Sequence, residues 1–209
     1  MEKIAYLTFD DGPTENTRRI LDILDAHGVK GTFFVEGRKV APKFEQLLKE
    51  MDAQGHYIGL HSMSHDKESL YEVEGAHHNF LQEMLQLQGI LHGIYGKKPR
   101  LYRPPFGSAG NFSPLHIQTM RDSGLKMWDW NLDPRDWDNA TTTEDILRRV
   151  KNHDADSGLP AVVLLHEHRE ETLEALPQII AILWEKGYKL QAYDEESHVS
   201  IVMLDAEGL

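Results

Sequence analysis

Short apolar segments alternate with longer amphipathic ones along the chain. Seven segments rich in apolar and β-branched residues predict buried strands at 4–9, 32–35, 57–60, 101–103, 126–130, 162–165 and 189–192. Between them, apolar residues recur at helical spacing and predict helices at 15–27, 42–54, 71–95, 114–123, 143–152 and 172–186. Four of these helices are followed at once by glycine, the usual left-handed helix stop: Gly28, Gly55, Gly124 and Gly187.

This alternation predicts the fold class. A strand followed by a helix, repeated, is typical of parallel strands joined by crossover helices. Seven such units in 209 residues favour an α/β fold, a distorted (β/α)7 barrel of parallel strands with outer helices. Gly75 and Gly89 interrupt the long 71–95 pattern and predict a kink or a split. We expect a single domain over residues 1–209.

Charge and composition narrow the range of partners. The 22 Lys and Arg against 34 Asp and Glu give a net charge of -12, which opposes binding to nucleic acid. The absence of cysteine excludes disulfides and thiolate metal ligands. No stretch approaches the ~20 apolar residues of a membrane span, and the first residues lack the pattern of a signal peptide. We expect a soluble chain with no transmembrane segment, either full length or the catalytic part of something longer.

Two distant segments supply the groups of a catalytic metal site. The first strand delivers Asp10 and Asp11 just before Gly12-Pro13, and the third is followed by His61 and His65. A spacing of four residues predicts both imidazoles on one face of a helical turn. Catalytic zinc usually takes three protein ligands and leaves a fourth position to water, so Asp11 is the candidate third ligand. Asp10 can then accept a proton from the attacking water. Alone, Asp-Asp-Gly-Pro is more often a simple turn.

Two further strands end in groups suited to catalysis. After the strand at 101–103, two prolines stiffen a loop whose backbone N–H can face a developing oxyanion, and Arg103 can pair with a carboxylate. A stiff turn with a surface arginine is the alternative. The strand at 162–165 delivers His166, which is placed to act as a general acid. The polar residues that follow it, Glu167, His168 and Arg169, argue against a core histidine.

Tryptophan and aspartate are concentrated in residues 128–137. This segment contains Trp128, Trp130 and Trp137 together with three aspartates. Indole faces stack on pyranose rings while carboxylates accept hydrogen bonds from sugar hydroxyls, so the cluster is typical of a sugar-binding cleft. The alternative is that the same tryptophans belong to the core.

Together these five segments resemble the polysaccharide deacetylase family, also called carbohydrate esterase family 4 or the NodB-homology domain, from about residue 6 to residue 166. The resemblance implies that Asp10 is the catalytic base. It implies the metal ligands Asp11, His61 and His65. It also implies that Arg103 orients the base and that Phe106 offers its backbone amide to the oxyanion.

The same resemblance implies roles for the remaining segments. His166 is the catalytic acid, and Asp136 tunes it. The residues expected to contact substrate are Pro104, Pro105, Trp137 and Leu164. One departure from the family pattern is Glu167, which follows the acid where the family often has aspartate, and we do not expect it to react.

The resemblance also implies a reaction. It is strongest to the peptidoglycan and chitooligosaccharide deacetylases, which remove N-acetyl groups from N-acetylglucosamine and release acetate. We expect a metal-dependent hydrolase of a cell-wall or chitin-like polysaccharide, peptidoglycan favoured, with zinc or else cobalt or nickel as the cofactor. We expect a monomer outside the cytoplasm or at a bacterial cell wall, or in the cytoplasm if the chain is full length. The alternatives are a deacylase of a small N-acylated compound and a non-catalytic glycan-binding domain.

Overall fold

Seven parallel strands alternate with six helices in the computed structural model, which describes residues 2–154 and 158–203. The strands are β1 (Lys3–Gly12), β2 (Thr32–Val35), β3 (Tyr57–Leu60), β4 (Leu101–Tyr102), β5 (Lys126–Met127), β6 (Ala161–His166) and β7 (Tyr188–Leu190). The helices are α1 (Thr17–Ala26), α2 (Pro42–Ala53), α3 (Ala76–Tyr95), α4 (Pro114–Ser123), α5 (Thr143–Asn152) and α6 (Glu170–Glu185). The predicted domain of residues 1–209 also includes Met1, 155–157 and 204–209, which lie outside the described residues.

The strands form one curled parallel sheet in the order β5-β4-β3-β2-β1-β6, and β7 pairs with the start of β1. Beyond β5, a bridge from Leu132 to Val163 of β6 brings the two edges of the sheet together. The sheet is therefore an incomplete, distorted barrel with helices outside it. This confirms the fold class predicted from the alternation of strands and helices.

Alternate residues of β1 pack on opposite sides of the sheet. One set joins the main core beneath the helices: Ala5, Leu7 and Phe9. Tyr6 belongs instead to a second cluster with residues of four other strands or their extensions, among them Phe34, Leu101, Trp128 and Val162. Because successive strand residues face opposite ways, Asp10 lies on the same side as Tyr6, at the carboxyl end of the strand. Ligands of α/β barrels bind at this end.

The helix boundaries follow local side-chain chemistry. Capping boxes begin α4 at Ser113 and α5 at Thr142, where each hydroxyl accepts a hydrogen bond from the third helical residue. The predicted 71–95 helix is split, because Gly75 adopts a φ of 79° between a π-helical turn at Glu68–Glu72 and α3. Gly89 lies inside α3 without breaking it. Among the described helices, none has the length and apolar content that a bilayer crossing requires.

Candidate active site

The carboxyl end of β1 presents two carboxylates in different directions. Asp10 pairs with His166 of β6 in the strand register. At Asp11 the register slips and the backbone turns left-handed, with a φ of 65°. The Nζ of Lys39 donates a hydrogen bond to the Asp11 carbonyl at 2.8 Å. This bulge lets two consecutive aspartates face separate groups of the same cleft, where a regular strand would send them to opposite sides of the sheet.

Asp11, His61 and His65 come together as candidate metal ligands. The Asp11 Oδ1 lies 3.4 Å from the Nε2 atoms of both His61 and His65, and one ligand atom from each residue lies within 4.8 Å of the others. This Oδ1 is buried and has no hydrogen-bond partner among the described residues. The Nδ1 of His61 donates to the Arg103 carbonyl at 2.8 Å, which leaves the Nε2 lone pair for a cation. An unpartnered oxygen beside two imidazoles fits a zinc-type ion.

The two histidines lie on a loop, so the prediction that they share a helical turn is wrong. Residues 61–65 follow β3, and both Ser62 and His65 have left-handed backbone, with φ values of 63° and 52°. The His65 N–H donates to the Ser62 Oγ at 2.9 Å. Glu83 of α3 accepts hydrogen bonds from two backbone N–H groups of the loop, each at 2.9 Å. These side chains satisfy the N–H groups, so the loop brings the rings together without helical hydrogen bonds.

The electrostatics of this cluster favour a positive charge. Burial opposes ionisation of Asp11, but the close imidazole of His61, together with those of His166 and His65, holds the pKa of that carboxyl well below its usual range. Burial likewise opposes protonation of His61, but Asp10 and Asp11 raise its pKa overall. Burial and the neighbouring His61 lower the pKa of His65. The site therefore stabilises a single positive charge but not two. A bound cation can supply this single charge in place of a proton on His61.

Asp10 is held by a buried arginine. The Nη1 of Arg103 lies 2.8 Å from the Asp10 Oδ1 and also donates to the Thr8 Oγ1 at 2.7 Å. Its Nε and Nη2 donate to the carbonyls of Trp128 and Asp129 at 3.2 and 2.8 Å. Arg103 is fully buried, which excludes the alternative of a surface arginine on a turn. A buried arginine with this many partners holds the Asp10 carboxylate in one orientation.

His166 is paired with a buried aspartate. Its Nδ1 lies 2.7 Å from the Asp136 Oδ1, and its backbone N–H donates to the Asp136 Oδ2 at 2.7 Å. Thr172 donates to the same Oδ2 at 2.6 Å. Burial disfavours the charged imidazole, but the bond to Asp136 and the negative charges of Asp136, Asp10 and Asp11 raise the pKa of His166 to about 9. At neutral pH, the His166 side chain in the cleft is therefore a protonated imidazole that can donate a proton from Nε2.

The loop after β4 presents one backbone amide. The Gly107 N–H donates to the Pro104 carbonyl at 3.0 Å and closes a turn. Phe106 has a φ of 64°, and its N–H has no acceptor among residues 2–154 and 158–203. Its ring packs edge-on against His65, with centroids 4.6 Å apart. Pro104 and Pro105 are buried, and neither is among the side chains that line the cleft. Their contact with substrate stays a prediction, and in the structure they belong to the turn that carries Phe106.

These groups open into one cleft of about 520 Å³, lined by Asp10, Asp11, His61, His65, Phe106, Trp130, Asp133, Trp137, Leu164, His166 and His168. The three tryptophans were predicted to line a sugar-binding cleft or else to belong to the core, and the structure contains examples of both. Trp128 is buried in the second core cluster. Trp130 and Trp137 line the cleft, and Trp137 is 46% exposed. Two indole rings are therefore available to a ligand and one is structural.

Comparisons with known proteins agree with this geometry. A family model described as polysaccharide deacetylase matches residues 1–128. A peptidoglycan-N-acetylglucosamine deacetylase of Bacillus cereus is 38% identical over 202 residues, which are 95% of this chain and 72% of the relative. The chain belongs to the polysaccharide deacetylase family. It is therefore an enzyme of the deacetylase class.

Two other relatives extend the comparison. The crystal structure of the polysaccharide deacetylase Bc1974 from Bacillus cereus superposes on this chain with a TM-score of 0.88 and 37% identity, and 97% of each chain is covered. A chitin deacetylase of Pestalotiopsis sp is 33% identical over 175 residues, which are 82% of this chain and 56% of the relative. The polysaccharide deacetylase fold thus extends over nearly the whole chain.

Several residues of this polysaccharide deacetylase were not predicted. Glu83, which anchors the histidine loop, lies on a helix about twenty residues further on, and no local pattern marks it. Asp133 and His168 line the cleft within segments that the sequence singled out, but without a role of their own. Glu167 was noted only as a departure from the family pattern; it is fully buried outside the cleft, where its carboxylate accepts hydrogen bonds from Thr14 and Thr17. A Cβ at Gly12 would lie 2.0 Å from its Oε1, so glycine is required there.

Proposed function

We propose that this deacetylase hydrolyses the N-acetyl group of N-acetylglucosamine units in a bacterial cell-wall glycan, with peptidoglycan as the favoured substrate. The proposal depends chiefly on one observation. An arginine-bound carboxylate, Asp10, and an aspartate-bound imidazole, His166, line the same cleft as the cluster of Asp11, His61 and His65. The Bacillus cereus relative is named a peptidoglycan deacetylase and the Pestalotiopsis relative a chitin deacetylase, and both polymers contain N-acetylglucosamine.

Asp11, His61 and His65 are the residues that would hold a divalent cation, and we propose zinc because two imidazoles and a carboxylate match its usual ligands. Such an ion would polarise the acetyl carbonyl and acidify water. Cobalt and nickel accept a similar ligand set. Asp10 then has the role of general base. Arg103 holds one carboxylate oxygen of Asp10, Oδ1, in place. The other oxygen of Asp10, Oδ2, lies 3.9 Å from the His61 Nε2, beside the place where water would enter.

The remaining groups stabilise the tetrahedral intermediate and protonate the nitrogen that leaves it. As water adds to the acetyl carbon, its proton passes to Asp10, and the Phe106 N–H donates to the oxygen that gains negative charge. His166 gives its Nε2 proton to the amide nitrogen as the carbon–nitrogen bond breaks, and Asp136 stabilises the charged imidazole until that moment. The products are acetate and a free amino sugar. Proton transfer from Asp10 back to His166, directly or through solvent, restores both groups.

The aromatic wall of the cleft suits a sugar. Trp130 and Trp137 can stack on the apolar face of a pyranose, while Asp133, whose Oδ2 accepts from the Trp137 Nε1 at 3.3 Å, can receive a hydroxyl. Leu164 offers an apolar surface for the acetyl methyl group. A peptidoglycan substrate would place the reaction outside the cytoplasm, and that location is part of the proposal.

Acetate release from a panel of substrates tests the proposal. The purified protein, metal-free or loaded with zinc, is incubated with peptidoglycan, chitooligosaccharides and acetylxylan, and acetate is measured. We expect release from the N-acetylated substrates, fastest from peptidoglycan, and loss of release in a chelator. Release only from acetylxylan would refute the N-acetyl assignment, and activity confined to small N-acylated amides would refute the glycan. Glycan binding without release from any substrate would favour a non-catalytic domain.

A further inference from the structure

The turn that presents the Phe106 amide has an unusual backbone. Pro105 and Phe106 occupy its two central positions, and the left-handed φ of 64° at Phe106 corresponds to a type II turn, where glycine is the usual residue. Phenylalanine disfavours this conformation because its Cβ crowds the backbone. Rotating the peptide between Pro105 and Phe106 by half a turn would relieve the crowding and direct the N–H away from its present position. Some other contact must hold this peptide.

A tyrosine outside the five recognised segments makes that contact. The Tyr71 hydroxyl donates a hydrogen bond to the Pro105 carbonyl at 2.8 Å. This carbonyl and the Phe106 N–H belong to the same peptide group and point in opposite directions. A bond that fixes the carbonyl therefore also fixes the direction of the N–H. Burial raises the pKa of Tyr71 well above its ordinary value, so the hydroxyl stays protonated and remains a donor.

Tyr71 is itself rigidly held. It lies in the π-helical turn Glu68–Glu72, a rare element that is frequent at functional sites. His116 of α4 donates from Nε2 to the Leu70 carbonyl at 2.9 Å, and Asn79 of α3 donates to the Ser69 carbonyl at 3.1 Å. The Tyr71 ring packs against Phe80, Phe112 and His116. Two helices thus fasten the turn that carries the hydroxyl.

We infer that Tyr71 is a positioning residue for the oxyanion donor of this deacetylase: its hydroxyl holds the Pro105–Phe106 peptide so that the N–H faces the cleft. The inference rests on the role proposed above for Phe106. A hydrogen bond to the carbonyl also polarises the peptide group, so the N–H becomes a stronger donor. Because the oxyanion exists only after water adds, Tyr71 should stabilise the transition state more than the bound substrate.

The test replaces the hydroxyl alone. Tyr71→Phe keeps the ring and its packing, and Tyr95→Phe is the matched control, because the Tyr95 hydroxyl is buried without a partner among the described residues. Removing an oxyanion donor outright costs about 10²–10³-fold in kcat, so misorienting one should cost about 10–100-fold. We expect that loss in Tyr71→Phe, with KM and the zinc dissociation constant within about threefold of wild type. Tyr95→Phe should keep the wild-type kcat.

A second measurement separates this inference from the proposed function. The amide proton of Phe106 is followed by NMR in the metal-free wild type, Tyr71→Phe and Tyr95→Phe. We expect its chemical shift and exchange rate to change in Tyr71→Phe alone. A lower melting temperature with unchanged kcat and an unchanged Phe106 amide would overturn the inference and leave Tyr71 a purely structural residue. If the wild type releases no acetate from any substrate, the proposed function fails, and the amide comparison still decides whether Tyr71 orients the peptide.

Discussion

Replacing Asp136 by Asn should remove the acid function of His166 while leaving the site otherwise intact. The Asp136 carboxylate is fully buried and lies 2.7 Å from the His166 Nδ1, and the histidine side chain is 12% exposed. Asn has the same shape, so the change removes a charge without opening a cavity. Its amide can also donate N–H to Nδ1, which stabilises the neutral imidazole with its one proton on Nε2, a much weaker acid than the imidazolium.

The size of the effect follows from the pKa of His166. The surroundings raise it from 6.5 to about 9, which at about 1.4 kcal/mol per pH unit amounts to about 3 kcal/mol in favour of the imidazolium. Without the charge of Asp136, burial remains and continues to oppose protonation, so the pKa should fall by two or more pH units, ~3 kcal/mol or more. Near neutral pH the wild-type imidazole is protonated and the variant imidazole is largely neutral. Losing a general acid costs about 10²–10⁴-fold in kcat.

Two measurements check this. The first is an NMR titration of the histidine rings in metal-free wild type and variant, with His166→Gln to assign the resonance. The second is acetate release by the zinc-loaded enzymes across the pH range. The wild-type rate should fall at alkaline pH as His166 loses its proton, and the variant's fall should begin at lower pH. Asp138→Asn, the same chemical change two residues along on a half-buried side chain, is the control. A variant with wild-type kcat and the same alkaline limb would refute the reasoning.

Three further outcomes are expected. Asp10→Asn should lower kcat by about 10²–10⁴-fold, because the general base is lost, while zinc affinity measured by calorimetry stays near wild type. Asp11→Asn should weaken zinc binding in the same calorimetric assay, since a neutral amide replaces the only carboxylate of the cluster. Burial raises the pKa of Glu167 from 4.5 to about 7, so its contribution to stability is present below about pH 4.5 and is lost as the pH rises through about 7. Glu167→Gln should therefore gain stability over wild type between pH 5 and pH 8 in urea unfolding, and a constant difference would contradict this.

Much of the fold could be predicted because its signals are local. Buried parallel strands have continuous apolar sequence, and helices end where glycine permits a left-handed residue, so the elements and their order followed from pattern alone. The closing of the barrel had no such signal. It depends on hydrogen bonds that segment 131–132, which follows the predicted strand at 126–130, makes with β6.

The candidate site was predictable where one segment supplies its own chemistry. Asp10 and His166 follow strands directly, and parallel strands bring their carboxyl ends to one edge, so their proximity follows from the topology. Residues that act through another segment had no such signal. Glu83 and Tyr71 are ordinary helical residues in the sequence, and only the tertiary structure shows which loops they hold. The i, i+4 spacing of His61 and His65 predicted a helical turn that the structure does not contain. The loop is held instead by Glu83, a residue from another segment that accepts the hydrogen bonds of its backbone N–H groups.

Backbone strain is concentrated at this site. Five non-glycine residues among those described have left-handed backbone, and all lie in the segments that form the cleft: Asp11, Ser62, His65, Phe106 and Arg135. Each such residue costs about 1–2 kcal/mol. Side-chain hydrogen bonds compensate at three of these residues. Lys39 donates to the Asp11 carbonyl, Tyr71 donates to the peptide that joins Pro105 to Phe106, and the nearby Asp133 accepts from the Arg135 N–H. Folding thus fixes the proposed metal ligands and the proposed oxyanion donor before substrate binds, so these groups would not need to reorganise as charge develops.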